Sequence, residues 1–271
     1  IERQLFGDIS ELRRNDAATG VQRVVRAYLS QLLSNPPSGF RIEPVYATLE
    51  HGYRYARNYV SQFLRQPLLN LSEEPIQYKR GDLFFALDMQ HHVQTAHSSA
   101  FSAMRQAGVT VKFLVYDLLA IQLPQCFADP HASELHEQLL RLIAQQDEAI
   151  CISKATADAM QAWIATKNVV TSPQFQTSWV HIGADLEGSQ PSNGLPNDAE
   201  KVYSALFLRP TFLVVSTIEP RKAQDQVLAA TEVLWKQGVD CNLVFVGKQG
   251  WKVDKLVTLL EQHPENGRKL F

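Results

Sequence analysis

The stretch TFLVVSTIEPRKAQDQVLAATEVLW, residues 211–235, shows best how this chain folds. An apolar, β-branched run at 212–215 leads into a short polar loop. Apolar residues then follow with the i, i+1, i+4, i+7, i+8 spacing of one helix face. The pattern predicts a strand, a loop and a helix. In α/β proteins, ligands bind where such loops leave the carboxyl ends of parallel strands.

Two adjacent cations, Arg221 and Lys222, lie in that loop. Cations beside the free N–H groups of a helix N-terminus make a binding site for a phosphate or diphosphate. On spacing alone, a solvated pair of basic residues explains the pattern equally well. Gly247 and Lys248 close a second apolar strand, NLVFVG, and would bring a third cation to the neighbouring strand end. This convergence favours the phosphate interpretation.

Length and composition predict a folded protein of one large or two medium domains. The chain has 271 residues, 45% of them hydrophobic, with a net charge of −2 and a pI near 6.5. This charge argues against a general nucleic-acid or membrane-surface binder. No apolar stretch approaches the ~20 residues that span a bilayer. Cys151 and Cys241 lie in or beside apolar runs, which predicts buried free thiols and a cytoplasmic, reducing environment.

Strand-like and helix-like runs alternate along the whole chain, which predicts parallel sheets covered by helices and hence an α/β fold. Strands are expected at 4–8, 42–47, 82–87, 110–116, 149–152, 178–182, 211–216 and 242–246. Helices are expected at 21–33, 92–108, 132–147, 154–166, 221–237 and 252–263.

A composition shift at 183–199, GADLEGSQPSNGLPNDA, predicts a linker, because it is rich in Gly, Pro, Ser and Asn and lacks an apolar period. We expect an N-terminal domain at 1–183, the linker at 184–200 and a second domain at 201–271. Two strands alone leave a sheet edge and helix faces uncovered. The second domain is therefore expected to be incomplete, and the chain a fragment of a longer protein.

Polar residues at other strand ends are further candidates for binding. Asp88 and Asp117 each follow a strand, where a carboxylate could orient a sugar hydroxyl or cap the next turn. Thr19 and Gly20 lie between a strand and a helix. That junction suits either close approach of a ligand or a helix N-cap.

Three histidines at 91, 92 and 97 lack the spacing and partners of a zinc site, so no metal is expected. A single histidine facing the ligand from the start of this helix, His91, fits the sequence better. Ser153 is expected to cap the helix that follows, with Lys154 exposed in its first turn. No Ser-His-Asp order, P-loop, dinucleotide fingerprint or deaminase signature offers another chemistry.

Taken in order, these segments resemble the retaining, family-four glycosyltransferases of the GT-B fold. DIS with D-x-x-TGVQRVVR is similar to the acceptor-side glycine loop, VYDLLAIQLPQCF to the (H/Y)D-x-x-P-x-x-x-P segment, and ICISKAT to the V-x-x-S-K element. VHIGADL, the stretch 211–235 and LVFVGKQGW are similar to the approach to the donor domain and its opening β-α-β. TGVQRVVR and IEPRKAQDQ are most similar to bacterial cell-surface polysaccharide enzymes, including O-antigen mannosyltransferases.

The resemblance implies two Rossmann-like domains facing a cleft, and transfer of a hexose from a nucleotide sugar with retention. Subgroup likeness suggests mannose from GDP-mannose, with a glycan or lipid-linked oligosaccharide as acceptor. It implies no metal, no cofactor beyond the nucleotide sugar and no nucleic acid. It also implies a cytoplasmic site of action and allows peripheral association with the inner face of the cytoplasmic membrane.

The resemblance also assigns roles to residues. Arg221 and Lys222 would stabilise the charge that develops on the leaving diphosphate, and Asp117 would join them as a catalytic residue. The donor would be bound by Gly20, Ser216, Glu219, Arg221, Lys222, Gly247 and Lys248. The acceptor side would be lined by Thr19, Asp88, His91, Tyr116, Ser153 and Lys154.

Two departures from the family pattern matter. Tyr116 stands where the family often has histidine, so a catalytic histidine is not available there. The family's E-x7-E element would lie beyond Phe271, so the chain as given is expected to be inactive alone. Two alternatives remain open. One is a GT-B-shaped sugar-nucleotide epimerase, which would need carboxylates around the sugar ring. The other is a noncatalytic α/β scaffold module of a polysaccharide assembly complex.

Overall fold

A computed structural model describes residues 2–17, 19–67, 70–183, 197 and 199–271. They divide into two compact units, one containing 2–121 and 133–183, the other containing 122–132 and the described residues from 197 onward. Of the predicted linker at 184–200, all but 197, 199 and 200 lies outside the described residues. The first helix after it begins at Ala199. The predicted domain limits stay a prediction.

The first unit is built on one sheet. Its strands are β1 Arg3–Asp8, β2 Phe40–Tyr46, β3 Arg54–Tyr55, β4 Leu83–Ala86, β5 Thr110–Val115, β6 Glu148–Cys151 and β7 Gln176–Trp179. Their order is β3-β2-β1-β4-β5-β6-β7. Every neighbouring pair is parallel except β2 with β3. This confirms the predicted parallel α/β architecture. The antiparallel β3 was not predicted, because two residues are too few to show a period.

Helices connect these strands on both faces of the sheet. They are α1 Ser10–Arg14, α2 Gly20–Ser34, α3 Arg57–Phe63, α4 His91–Ala96, α5 Ser98–Gln106, α6 Leu119–Gln122, α7 Ala132–Ala144 and α8 Lys154–Thr166. Alternate residues of β5 enter different apolar clusters: Phe113 and Val115 pack with Phe101 of α5, whereas Leu114 packs with Leu29 of α2. Since successive side chains of a strand point to opposite faces, the sheet is buried on both sides.

The second unit contains β8 Thr211–Val215 and β9 Asn242–Val246, which pair in parallel, and helices α9 Ala199–Phe207, α10 Gln224–Lys236 and α11 Asp254–Glu261. Leu228 of α10, Leu243 of β9 and Leu270 form its small core. The last residues lie along the free side of β9, where the Phe271 amide donates to the Leu243 carbonyl at 3.0 Å.

Two predicted helices are wrong in detail. The helix expected at 92–108 is two helices that meet at His97, whose ring Nε2 lies 2.6 Å from the Thr48 carbonyl. The helix expected from 221 begins instead as a 3-10 turn over Pro220–Lys222. Ala223, in the left-handed region at φ 53°, separates this turn from α10.

Residues 122–132 pack within the second unit. The Trp251 indole Nε1–H donates to the Cys126 carbonyl at 2.7 Å, and Lys252 Nζ donates to the Gln125 carbonyl at 3.2 Å. The Phe127 and Trp251 rings stack with centroids 6.4 Å apart. This short segment therefore belongs structurally with residues more than a hundred positions later in the chain.

Two smaller features complete the fold. Cys151 and Cys241 are buried free thiols, as predicted, and burial raises the pKa of Cys151 to about 12. Within the described ranges, the helices are too short or too polar to cross a membrane.

Candidate functional site

The loops that leave β8 and β9 are joined by backbone hydrogen bonds. The Ser216 amide donates to the Val246 carbonyl at 3.0 Å, and the Ile218 amide donates to the Lys248 carbonyl at 3.0 Å. The Gly250 amide completes the contact by donating to the Ile218 carbonyl at 2.9 Å. The loop that carries the two adjacent cations thus lies beside the loop that carries the third.

Glycine is required where these loops meet. A Cβ atom added to Gly247 would lie 1.9 Å from the Ser216 carbonyl oxygen, far inside van der Waals contact. At Gly250 the added atom would lie 2.6 Å from the Ile218 carbonyl oxygen. Both obstacles are backbone atoms, so a side chain at either position would push the loops apart.

A buried carboxylate holds the Arg221 guanidinium in place. Its NH2 group lies 2.7 Å from Glu219 Oε1, and the exposed fractions of the two side chains are 25% and 2%. The Arg221 Nε atom is buried and has no hydrogen-bond partner in the part of the chain described. The guanidinium therefore keeps an unused donor. Glu219 orients Arg221, and its expected contact with the donor stays a prediction.

Lys222 and Lys248 provide two exposed charges beside the paired Arg221. Both are exposed, and within the described residues neither side chain makes an ion pair. The Lys222 amide donates to the Glu219 carbonyl at 3.0 Å, which closes the 3-10 turn. One rigid and two solvated cations on adjacent loops suit a multiply charged anion such as a diphosphate.

Gln224, at the first position of α10, was missed by sequence reasoning. Its Nε2 donates to Ser216 Oγ at 3.1 Å and to the Thr217 carbonyl at 3.0 Å. Its Oε1 is buried without a hydrogen-bond partner in the described structure. Gln224 thus fixes the Ser216 hydroxyl, which stands among the predicted donor-binding groups. A glutamine carries no pattern signal, because only its three-dimensional contacts show that it is buried.

The left-handed Ala223 gives a stability prediction. A non-glycine residue in this region costs about 1 kcal/mol, so Ala223→Gly is expected to raise the unfolding free energy of the second unit by roughly that amount. Denaturant unfolding with an unchanged m-value measures the effect. Ala230→Gly, in the middle of α10, is the matched control and should lower stability by about 1 kcal/mol. A loss of stability in Ala223→Gly would contradict the prediction.

In the first unit, the Asp88 carboxylate is buried and hydrogen-bonded to backbone amides. Asp88 is 1% exposed and accepts hydrogen bonds from the Leu12 amide at 2.6 Å and the Met89 amide at 2.9 Å. Burial, followed by the nearby charge of Asp8, raises the pKa of Asp88 to about 7 against the effect of these hydrogen bonds. The Leu12 contact joins the end of β4 to α1, and neither a cap on α4 nor the predicted contact with a sugar hydroxyl follows from it.

This raised pKa predicts a pH effect. Between about pH 4 and 7 the folded state holds a proton on Asp88 that the unfolded state releases, so the contribution of Asp88 to stability falls as pH rises. The stability of Asp88→Asn relative to the parent should therefore increase with pH, by up to about 1.4 kcal/mol per unit. Urea unfolding at pH 5 and 7 measures it. The control Asp158→Asn, at an exposed position, should differ from the parent in unfolding free energy by the same amount at both pH values. The effect would be excluded if Asp88→Asn also differed from the parent by a constant amount.

Asp117 and Tyr116 close β5 with different roles. Asp117 Oδ1 accepts from the Leu119 amide at 3.0 Å and so caps the turn into α6, while the rest of its half-buried carboxylate stays available. The Tyr116 side chain is buried and its hydroxyl donates to the Leu87 carbonyl at 2.8 Å. Burial raises the pKa of Tyr116, so its hydroxyl stays protonated and committed to the fold.

His91 pairs with a residue that sequence reasoning missed. Its Nε2 lies 2.9 Å from Nδ1 of His136, which is buried in α7. His136 Nε2 in turn lies 2.9 Å from the Asp117 carbonyl. A histidine within an amphipathic helix gives no sign of such a partner 45 residues away. Groups of three or more His, Cys, Asp or Glu positioned for a metal are absent from the described ranges.

The remaining candidates are helix caps and their neighbours. Thr19 caps α2 in a reciprocal capping box with Gln22, and a Cβ on Gly20 would meet no atom within 4 Å. Ser153 Oγ accepts from the Thr156 amide at 3.1 Å at the start of α8. Both predicted caps are confirmed. Lys154 is exposed, as predicted, and its Nζ pairs with Asp158 Oδ2 at 2.7 Å.

Comparison with known proteins agrees with the sequence resemblance. No protein-family model matches the chain. Over 271 residues, 99% of its length, it is 38% identical to the serotype-specific mannosyltransferase WbdA of Escherichia coli. The chain is a relative of one part of WbdA. It spans only 32–33% of the WbdA sequences that it matches. The predicted similarity to bacterial mannosyltransferases is confirmed at this level.

Solved structures show weaker likeness. An α,α-trehalose-phosphate synthase from Burkholderia vietnamiensis has 11% identity and a TM-score of 0.43, over 98% of this chain and 69% of the synthase. A Medicago truncatula protein complexed with UDP-glucose has 11% identity and a TM-score of 0.42, over 99% of this chain and 71% of that protein. Scores below 0.5 do not establish a shared fold, so the α/β assignment rests on the strands themselves.

Proposed function

We propose that this chain is part of a GT-B glycosyltransferase that moves mannose from GDP-mannose to a growing bacterial surface glycan, with retention of configuration. The relationship to WbdA along 99% of the chain carries the proposal. WbdA is about three times as long as this chain, so the relationship alone does not say which part of the reaction these residues perform. That part is inferred from the loops after β8 and β9.

The loops after β8 and β9 would bind the donor diphosphate. When the bond between the sugar and the diphosphate breaks, negative charge develops on the leaving phosphate oxygen. Arg221, held by buried Glu219 with an Nε donor unused, is preorganised for an oxyanion. Lys222 and Lys248 would add charge without needing a metal. Tight contact at Gly247 keeps the cations close together.

The carboxyl edge of the first unit would bind the acceptor. Asp117 and His91 follow neighbouring strands and offer polar groups to sugar hydroxyls. The acceptor would be a glycan or lipid-linked oligosaccharide, reached from the cytoplasm at the inner face of the membrane. The epimerase alternative needs free carboxylates near the diphosphate. Glu219, the buried carboxylate of that loop, is already paired with Arg221.

Calorimetric titration of the chain with GDP, UDP, ADP and pyrophosphate tests the proposal. GDP is expected to bind most tightly, and pyrophosphate to compete with it for the same cations. Equal binding of the three nucleotides would keep the diphosphate site but remove the support for GDP-mannose. Failure of all four ligands to bind would contradict the transferase and favour the noncatalytic scaffold.

A further inference from the structure

The histidine pair of the first unit fixes the position of a proton. His136 Nε2 lies 2.9 Å from the Asp117 carbonyl oxygen, which can only accept, so this nitrogen carries hydrogen. His136 Nδ1 is then the unprotonated nitrogen of a neutral ring. His91 Nε2, 2.9 Å away, must donate to it. In neutral His91 the remaining nitrogen, Nδ1, is left with a free lone pair.

Both rings are neutral near pH 7. Burial, then the neighbouring His136 and His92, lowers the pKa of His91 to about 4. Burial also lowers the pKa of His136, although its hydrogen bond to Asp117 acts in the opposite direction. The pair therefore presents an uncharged acceptor atom instead of a cation. An uncharged acceptor suits a hydroxyl group and gives no preference for an anion.

The position of this acceptor suits a ligand. Nδ1 of half-buried His91 makes no hydrogen bond to any residue in the described ranges. His91 begins α4 at the carboxyl end of β4, and Asp117 follows β5, the next strand in the sheet. Ligands of parallel α/β sheets bind at this edge. Asp117 therefore has two parts in this arrangement. Its carbonyl orients the His91 imidazole through His136, and its carboxylate lies at the same edge of the sheet.

We propose that His91 Nδ1 accepts a hydrogen bond from a hydroxyl of an uncharged carbohydrate, and that His136 is the positioning residue that holds His91 in the required tautomer. The choice of carbohydrate, the glycan acceptor, rests on the proposed transferase function. The tautomer itself follows from the two hydrogen bonds once both rings are neutral, and it does not depend on the proposed function.

Nitrogen-15 NMR of the histidine-labelled chain at pH 7 tests the tautomer. His91 is expected to show a protonated Nε2 and an unprotonated Nδ1. In His136→Phe, which removes the acceptor, its two tautomers should mix, whereas His136→Gln, which can donate to Asp117 and accept from His91, should keep the original form. Exposed His92→Gln is the control. A proton on Nδ1 of His91 in the parent protein would overturn the proposal. This measurement is made on the parent protein, so it does not require any variant to fold.

Titration with methyl α-mannoside tests the ligand. Binding should shift the His91 Nδ1 signal, and His91→Phe should weaken affinity up to about tenfold while His92→Gln leaves it unchanged. Saturating glycoside without effect on His91 would overturn the proposal. GDP titrated in the same sample reports separately on Arg221 and Lys222. If GDP binds but the glycoside does not affect His91, the proposed transferase function stands and the His91 proposal fails. If the glycoside affects His91 but GDP does not bind, the carbohydrate site stands and the proposed transferase function fails.

Discussion

Gly247→Ala is expected to lower the unfolding free energy of the second unit by about 3 kcal/mol, at the upper end of overpacking costs. The added Cβ would lie 1.9 Å from the Ser216 carbonyl oxygen, and a backbone atom cannot turn aside as a side chain can. The loops after β8 and β9 would have to separate, so binding of GDP should weaken as well. Urea unfolding followed by tryptophan fluorescence measures the change.

Gly20→Ala is the control for this substitution. Gly20 lies at the start of α2, where an added Cβ meets no atom within 4 Å, so alanine should be neutral or slightly stabilising. A Gly247→Ala protein within about 0.5 kcal/mol of the parent would show that the loops are not packed as described, since surface substitutions fall in that range.

The double change Arg221→Ala, Lys222→Ala is expected to weaken GDP binding about a hundredfold. Two charge-assisted hydrogen bonds at about 1.5 kcal/mol each account for roughly 3 kcal/mol. The loss should be smaller at high salt, because the Lys222 charge is exposed and screened. Calorimetry gives both affinities directly.

A matched pair of lysines separates local contacts from overall charge. Lys236→Ala, Lys255→Ala removes two exposed cations from the same unit, one at the end of α10 and one in α11. Its effect on GDP affinity should stay within about threefold. Equal losses in the two double variants would mean that net charge, not the Arg221–Lys222 loop, attracts the nucleotide.

Strands with continuous apolar runs were predictable nearly to the residue. β9 has the predicted bounds, and β5 ends one residue early, because burial on both faces leaves an uninterrupted apolar signal. β7 was predicted two residues late. Its own sequence, Gln176–Trp179, is mostly polar, whereas the apolar residues Val180 and Ile182 that suggested a strand follow it and are exposed.

The candidate site was predictable in place but not in its internal contacts. The Arg221–Lys222 loop was located from the strand, loop and helix pattern around it. The buried ion pair with Glu219 and the bonds of Gln224 depend on side-chain orientation, which no period encodes. The His91–His136 pair joins the first residue of α4 to the inside of α7, so only the folded protein brings the two rings together.

The packing of residues 122–132 with Trp251 has a consequence for synthesis. The hydrogen bond between Trp251 and Cys126 joins residues 125 positions apart. On a ribosome adding 5–20 residues per second, the segment waits roughly 6–25 s for its partner to be made. During that time Phe127 has no indole to stack on. Cutting the gene between the two units would make the separation permanent, so residues 199–271 expressed alone would lack an element of their own fold.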